Sequence, residues 1–155
     1  RGLGDVYKRQ ELIVIKAEEK DISDIYQIGT VSFSDAWREE TIRNDMKGGH
    51  SCYFIAKLAK KVIGYGCFWF IADEAQLMNI GVLPEYRRMG AAEKILKQGL
   101  EEAAERHMEV IFLEVRVSNL PAQSLYRKYN FQTVSVRQDV YELPRENGYI
   151  MSRKV

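Results

Sequence analysis

Residues Leu77 to Leu96 read LMNIGVLPEYRRMGAAEKIL. An apolar strand is predicted to end near Val82, a turn follows, and Gly90 is predicted to open a long helix. Backbone N–H groups at a helix start are unpaired, glycine lets a ligand come close, and neighbouring cations attract negative charge. Arg87 and Arg88 supply those cations. The stretch therefore predicts a binding site for an anion, such as a phosphorylated cofactor.

The pattern differs from two familiar phosphate-binding motifs. The dinucleotide fingerprint needs three glycines and an acidic residue on the next strand, and the phosphate loop ends in Gly-Lys-Ser/Thr. Arg87-x-x-Gly90-x-Ala92 instead resembles the Arg/Gln-x-x-Gly-x-Gly/Ala signature of the GNAT acetyltransferase superfamily. An ordinary basic turn that caps a surface helix is the alternative interpretation of so short a motif. The resemblance implies that the pyrophosphate of acetyl-coenzyme A is held by Arg87, Arg88, Met89, Gly90, Ala91 and Ala92.

Length and composition limit the class of protein. A chain of 155 residues is long enough to bury most of its apolar surface as a single domain. With 46% hydrophobic and 29% charged residues it is typical of a globular protein, and a net charge of +1 argues against a dedicated nucleic-acid binder. No apolar run is long enough to span a bilayer, so we expect no membrane partner and a cytoplasmic location.

Cysteine and histidine are scarce. Cys52 and Cys67 lie among apolar neighbours without metal-ligand spacing, which favours buried free thiols. His50 and His107 leave little material for a metal site or a catalytic triad, so no metal is expected. The first ten residues show no strand or helix periodicity. We interpret them as a leader or non-native segment, and expect the folded domain to span residues 11–155.

Hydrophobic periodicity predicts seven strands and four helices. Helices are expected from Asp21 or Ser23, from Trp37 to Met46, from Gly90 to His107, and from Pro121 to a left-handed stop at Asn130. The helix from Gly90 should bury Ile95, Leu96, Leu100, Ala103 and Ala104. Strands are expected at Glu11–Lys16, Tyr53–Ala59, Val62–Ile71, Glu74–Val82, Val110–Val115, Gln132–Gln138 and Tyr149–Arg153.

Two of the predicted strands are unusually apolar. The strand at Val110–Val115 is too hydrophobic to be half exposed, so we expect it in the centre of the sheet. The segment Cys67–Ile71 could be core or part of a dimer face, and the sequence leaves the choice between a monomer and a weak dimer open.

The predicted order is β, α, α, β, β, β, α, β, α, β, β, with a strand–helix–strand crossover in the middle. This is the order of the GNAT fold, and it extends from about Glu11 to the C-terminus. The resemblance implies an α/β (α+β) domain with a central mixed, largely antiparallel, seven-stranded sheet flanked by about four helices.

Two polar residues interrupt apolar patterns in the second half of the chain. Glu114 lies within LEVRVSN, and a carboxylate among aliphatic residues must be paired or functional. Because Glu114 and Arg116 share a strand face, a structural ion pair between them is one alternative, and a solvent-facing carboxylate is another. Tyr126 follows twelve residues later. Its alternative interpretation is a core aromatic residue on the apolar stripe of the helix.

These residues resemble one branch of the superfamily, the ribosomal-protein-alanine N-acetyltransferases of the RimI type. The branch carries Leu-Glu-Val-Arg-x-Ser-Asn, then Leu-Tyr at the same interval, and a strand Asn-Ile-Ala-Val, which here is Asn79–Val82. Its C-terminal Arg-Glu-Asp-Ala-x-Ile-Met is similar to the segment Arg145–Met151, and its Pro-Trp-Ser is similar to the region of Trp37. The resemblance covers nearly the whole chain after residue ten.

The resemblance implies a direct transfer without an acyl-enzyme. Glu114 would be the general base for the attacking amine, and Tyr126 the general acid for the departing thiolate. The backbone of Ile80, Gly81 and Val82 would hold the pantetheine arm and polarise the thioester carbonyl. Asn119 would hydrogen-bond the cofactor arm, and Trp37 and Tyr141 would contact the acceptor.

The chain departs from the branch at three points. The Tyr-Tyr-Pro lip after the sixth strand is Val140-Tyr141-Glu142 here, Gly-x-Gly is Gly90-x-Ala92, and Leu-Gly-Phe is Tyr129-Asn130-Phe131. The implied activity is acetylation of a protein N-terminus, the alanine of a small-subunit ribosomal protein. The altered lip motivates a second hypothesis, acetylation of a polyamine, an amino acid or an antibiotic. A non-catalytic acyl-coenzyme A-binding module is a third, although a binder would need neither Glu114 nor Tyr126.

Overall fold

The computed structural model describes residues 11–155. The prediction of a leader or non-native segment at residues 1–10 lies outside the described residues. Four helices are present in the described part: α1 (Ile22–Ser32), α2 (Glu39–Lys47), α3 (Ala91–Glu105) and α4 (Leu120–Lys128). The strands are β1 (Leu12–Lys16), β2 (Ser51–Leu58), β3 (Lys61–Ile71), β4 (Glu74–Val82), β5 (Val110–Arg116), β6 (Gln132–Tyr141) and β7 (Glu146–Lys154).

All seven strands form one sheet in the order β1-β2-β3-β4-β5-β7-β6. Every neighbouring pair is antiparallel except β4 and β5, which α3 connects as a parallel crossover. One apolar cluster packs α3 against the sheet through residues such as Ile95 and Leu96. A second cluster packs α1 and α2 through residues such as Ile25 and Ile42. The predicted fold class, a mixed and largely antiparallel seven-stranded sheet between helices, is confirmed.

The parallel pair β4–β5 separates halfway along its length. Residues Glu74–Leu77 of β4 pair with residues Val110–Leu113 of β5, and the later residues of the two strands do not pair with each other. Met78 is an extra residue on β4, because Leu77 opposes Phe68 of β3 and Asn79 already opposes Cys67. Beyond this bulge β4 stays paired with β3 and β5 stays paired with β7, so the two strands diverge from each other. A cleft therefore opens in the middle of the sheet.

The cleft corrects the prediction for β5. The strand lies inside the sheet as expected, but its burial alternates. Ile111, Leu113 and Val115 are buried, whereas Phe112 and Glu114 are only half-buried. The expectation of burial on both faces is wrong, because the second face lines the cleft instead of packing under a helix.

The buried face of α3 also differs from the expected stripe. Ile95, Leu96 and Ala103 are buried as predicted, whereas Ala104 is exposed. Glu102 is buried in its place and pairs with Lys16 at 3.3 Å and Arg106 at 2.8 Å. A carboxylate is tolerated there because two cations compensate it. Among the described residues, no helix combines the length and the apolar character needed to cross a bilayer.

Candidate active site

A cavity of about 670 Å³ occupies the cleft between the diverging halves of β4 and β5. Residues of β4 and β5, of the segment between α1 and α2, and of α4 and β6 line it. Six of the residues predicted from the sequence come together here: Trp37, Ile80, Glu114, Asn119, Tyr126 and Tyr141. Gly81 and Val82, the last two residues of β4, and the segment from Arg87 to Ala92 at the start of α3 do not line the cavity.

Glu114 lies on the half-buried face of β5, and its side chain is 25% exposed. Its Oε2 atom accepts a hydrogen bond from Nη1 of Arg137 at 3.1 Å. The alternative of an ion pair between Glu114 and Arg116 is wrong, because Arg116 pairs with Glu146 at 3.2 Å. The carboxylate is therefore directed by β6, which lies two strands away in the sheet.

Gly148 on β7 makes room for the Glu114 side chain. A Cβ atom at this position would lie 3.2 Å from Cγ of Glu114 and 2.9 Å from Cγ1 of Val140. Gly148 opposes Arg116 on one side and Arg137 on the other. Since β7 separates β5 from β6, the absence of a side chain at this one position lets Arg137 reach Glu114.

Tyr126 lies on α4, where it both packs in the core and lines the cavity. Its ring packs edge-on against Phe131 at a centroid distance of 5.8 Å, as a core residue would. It also lines the cavity, and its hydroxyl has no hydrogen-bond partner among residues 11–155. Burial raises the pKa of Tyr126 to about 12, so the phenol is protonated at neutral pH and can only donate a proton.

The β4 wall of the cavity contains unpaired polar atoms. Oδ1 of Asn79 and Oγ of Ser32 are buried without a hydrogen-bond partner within the described part of the chain. Both residues line the cavity, beside Ile80, where β4 has lost β5 as a partner. Buried polar atoms are nearly always satisfied, so this wall fits a polar ligand that supplies the missing hydrogen bonds.

The segment from Arg87 to Ala92 has the backbone of an anion site. Arg88 and Gly90 adopt left-handed conformations, with φ of 65° and 84°. The first hydrogen bond of α3 runs from the Lys94 amide to the Gly90 carbonyl, so the amides of the residues between them have no partner in the described part of the chain. A Cβ atom at Gly90 would meet nothing within 4 Å, because the loop opens to solvent there. Both arginines are exposed, and Nε of Arg87 donates to the Val82 carbonyl at 3.3 Å.

Asn119 has a structural role that sequence analysis missed. It is the N-cap of α4, and its Oδ1 accepts a hydrogen bond from the Ala122 amide at 3.2 Å. The residue also lines the cavity. Its side-chain NH₂ group has no acceptor in the described part of the chain, so it can donate to a ligand while the oxygen caps the helix.

Two aromatic residues form walls of the cavity. Trp37 packs against Trp69 with a centroid distance of 6.1 Å, and Trp69 donates to Asp45 at 3.2 Å. Tyr141 lies under the guanidinium group of Arg116, whose Cζ is 4.4 Å from the ring centroid. Burial and the nearby charge of Glu114 raise the pKa of Tyr141, so its hydroxyl also remains protonated.

Arg116 and Arg137 are the site residues that the sequence did not reveal as such. Arg116 donates to the Pro144 carbonyl at 2.8 Å and to Oγ of Ser34 at 3.2 Å. It therefore fastens the β6–β7 turn to the segment before α2, across the mouth of the cavity. The sequence signals for Arg116 were its place in the Leu-Glu-Val-Arg-x-Ser-Asn motif and the parity that puts it on the same strand face as Glu114. No local sequence pattern links Arg137 to Glu114, which lies 23 positions earlier in the chain.

Other candidate chemistry is absent from the cavity. Cys52 and Cys67 are buried free thiols, as predicted, and do not line it. Burial raises the pKa of Cys67, which makes this thiol unreactive. In the range 11–155, no group of three or more His, Cys, Asp or Glu side chains is arranged to hold a metal ion.

Glu114 and Tyr126 therefore share one cavity in a divided sheet. Residues 20–131 match the Acetyltransferase (GNAT) family, and the chain belongs to this family. Its members are N-acetyltransferases that use acetyl-coenzyme A, and this protein is an acyltransferase of that kind.

Individual relatives are similar over almost the whole chain. A protein of Bacillus subtilis (strain 168), provisionally named a ribosomal protein bS18-alanine N-acetyltransferase, is 32% identical over 85% of this chain and 88% of its own length. The ribosomal protein bS18-alanine N-acetyltransferase of Haemophilus influenzae is 30% identical over 90% of this chain and 97% of its own length. The crystal structure of the Escherichia coli ribosomal-protein-alanine N-acetyltransferase covers 94% of both chains, with a TM-score of 0.86 and 27% identity.

Proposed function

We propose that this protein transfers the acetyl group of acetyl-coenzyme A to the α-amino group of a protein N-terminus, the alanine of ribosomal protein bS18. The names of the relatives support the acceptor. One structural observation carries the chemistry: Glu114 and Tyr126 line the same cavity where β4 and β5 diverge. An enzyme with this substrate would act in the cytoplasm.

Acetyl-coenzyme A supplies an activated thioester and a pyrophosphate that needs a binding site. The unpaired amides and the arginines from Arg87 to Ala92 would hold the pyrophosphate, and left-handed Gly90 lets it approach the main chain. The backbone of Ile80, Gly81 and Val82 would hold the cofactor arm along the edge of β4 that β5 leaves free. The NH₂ group of Asn119 would donate to the same arm.

Glu114 would accept a proton from the acceptor ammonium, directly or through a water molecule. An α-amino group has a pKa of about 8, against roughly 10.4 for lysine, so much less work is needed to deprotonate an N-terminus near neutral pH. A carboxylate at the cavity wall is suited to this transfer. This difference favours an N-terminal α-amine over a lysine side chain as the acceptor.

Tyr126 would donate its proton to the departing sulfur atom. Its pKa of about 12 keeps the phenol protonated at the pH of the cytoplasm. It makes no hydrogen bond elsewhere in the described part of the chain, so the proton is not engaged. Trp37 and Tyr141 would enclose the first residues of the acceptor, since both line the cavity.

The test compares peptides that differ only at the N-terminus. Peptides with the first residues of bS18, starting with Ala, Ser or Met, are incubated with acetyl-coenzyme A, and the products are located by mass spectrometry. We expect one acetyl group on the α-amine of the Ala peptide and none on the same peptide blocked at its N-terminus. Equal acetylation of the blocked peptide through lysine would contradict the proposal.

A panel of small amines in the same assay tests the second hypothesis. The lip at Val140 lacks the hydroxyl that the related branch carries there, which is the feature that favours a different acceptor. A specificity constant for a polyamine, amino acid or antibiotic above that for the Ala peptide would replace the protein acceptor and leave the assigned roles of Glu114 and Tyr126 intact.

A further inference from the structure

Arg137 occupies the position next to Glu114 where a positively charged acceptor would have to bind. Its Nη1 atom lies 3.1 Å from Oε2 of Glu114, and this is the one hydrogen bond of the Glu114 side chain within residues 11–155. An acceptor ammonium needs the same carboxylate. Both groups are cationic hydrogen-bond donors, so they compete for one acceptor.

We propose that Arg137 is a specificity-determining residue: it pairs with Glu114 while the acceptor site is empty and is replaced by the ammonium group of the incoming N-terminus. This inference rests on the proposed function, because it takes Glu114 as the group that receives the amine. It goes further by assigning a role to a residue outside the implied machinery.

The two side chains of the ion pair differ in their exposure to solvent. The side chain of Arg137 is 59% exposed, whereas that of Glu114 is 25% exposed. Arg137 comes immediately before the irregular part of β6, where the register with β7 shifts between Arg137 and Tyr141. A long side chain in water exchanges partners readily, because an exposed ion pair gains little over its solvated state. Glu114 therefore stays in place when Arg137 leaves.

The other charged and titratable groups near Glu114 do not substitute for Arg137. Arg116, on the same strand, is committed to Glu146 and to the Pro144 carbonyl. Tyr126 on α4 and Tyr141 on β6 are neutral, since both have raised pKa values. The remaining groups that line the cavity are Tyr65 of β3 and Asp35 of the segment before α2. Arg137 is thus the cation available to Glu114 in the described structure.

Competition for Glu114 would make the effect of Arg137 depend on the charge of the acceptor. An ammonium group must displace Arg137 to reach the carboxylate, and it then recovers the contact that Arg137 gives up. An uncharged N-terminus of the same shape has no such need and binds with the Arg137–Glu114 pair intact. Replacement of Arg137 by a neutral residue should therefore strengthen binding of the ammonium peptide alone and increase the preference for it over the uncharged peptide.

The experiment measures the binding and turnover of two peptides with the wild type and with three variants. The peptides are the Ala-starting acceptor and a copy in which a hydroxyl replaces the α-amino group. The variants are Arg137→Gln, Arg137→Lys and Arg145→Gln. Arg145 is a matched control, because it is an exposed arginine on the turn that follows β6 and has no ion pair in the described part of the chain.

For Arg137→Gln we expect the acceptor KM to fall about twofold to fivefold, with kcat unchanged. This is the change in affinity that corresponds to the loss of one competing exposed ion pair. Calorimetry in the presence of coenzyme A should show the same gain for the amine peptide and none for the hydroxyl peptide. Arg137→Lys should stay close to the wild type, and Arg145→Gln should change neither peptide.

Three results would overturn the inference. A raised KM would mean that Arg137 binds the acceptor, and a lowered kcat with unchanged KM would mean that it only orients Glu114. An equal gain for both peptides would mean that the effect does not depend on the ammonium charge. Wild-type turnover is measured first: a wild type that binds the peptide without acetylating it contradicts the proposed function, and the binding comparison still tests Arg137. No binding of either peptide contradicts both.

Discussion

The two walls of the cleft present different kinds of chemical group. The β4 wall and the start of α3 offer mostly main-chain groups: an unpaired strand edge, free amides and left-handed Gly90. The opposite wall, from β5, β6 and β7, is a network of charged side chains in which Glu114 pairs with Arg137 and Arg116 pairs with Glu146. A main-chain site depends on conformation, and a side-chain site depends on charge. The cofactor and acceptor halves should therefore respond to different kinds of mutation.

The largest effect is expected on the side-chain wall, from Glu114→Gln. The amide keeps the shape of the carboxylate but cannot accept the proton, so kcat should fall by about 10²-fold to 10⁴-fold, the usual contribution of a general base. The KM for acetyl-coenzyme A should not change, because Glu114 is distant from the start of α3. Steady-state kinetics with both substrates checks this, and wild-type turnover in the variant would remove Glu114 from its role.

Tyr126→Phe should have a smaller effect on kcat. A thiol has a pKa of about 8.5 and leaves more easily than an alkoxide or amide, so loss of the proton donor should cost roughly tenfold to a hundredfold. The ring still packs against Phe131, so the melting temperature should stay near that of the wild type. A drop in melting temperature with normal kcat would mean that Tyr126 is only a core residue.

Gly90→Val tests the main-chain wall. A β-branched residue at a φ of 84° is strained, and the substitution should distort the loop that presents the amides. We expect affinity for coenzyme A to weaken about tenfold, with little change in the acceptor KM, because left-handed conformations cost roughly 1–2 kcal/mol per residue. Gly49→Ala, at a position where a Cβ atom would meet nothing within 4 Å, is the control. Equal affinities by calorimetry would argue against this loop as the pyrophosphate site.

The smallest effect is a pH dependence of stability from Glu146. Hydrogen bonds from Ser118, and then Arg116, hold the pKa of this carboxyl below its ordinary value. The lowered pKa means that its stabilising contribution is complete above the unfolded value of about 4.3 and is lost as the pH falls through the folded value. Glu146→Gln should lower the melting temperature at pH 7, and the difference from the wild type should shrink at pH 3. A constant difference across this range would contradict the assignment.

The wall built from neighbouring residues is the one whose helix start was predicted from the sequence, since α3 begins directly after Gly90. The end of β4, the arginines and Gly90 lie within one local segment, and their pattern predicts a helix start that binds an anion. The order of elements likewise follows from local periodicity, and the left-handed residue expected at Asn130 is present with a φ of 70°. Roles for individual site residues stay predictions, since they depend on ligands.

The other wall depends on strand register, which a single sequence does not determine. Strand parity placed Glu114 and Arg116 on one face, yet Glu114 pairs with Arg137 of β6 and Arg116 pairs with Glu146 of β7. The outcome depended on Gly148, where a side chain would have closed the space between β5 and β6. The opening beside Glu114 was missed for a similar reason, because an apolar strand such as β5 looks the same whether a helix or a cavity covers it.

The bulge at Met78 has a consequence for how such an enzyme could arise. A regular sheet has no internal cleft, because each inner strand hydrogen-bonds to both of its neighbours along its length. One extra residue shifts the register of β4 against β3, and from that point β5 no longer pairs with β4. The backbone groups on that edge of β4 are then available to a ligand. Without Met78, β4 and β5 could pair along their full length. The cleft would then close, and the folded protein would have no activity.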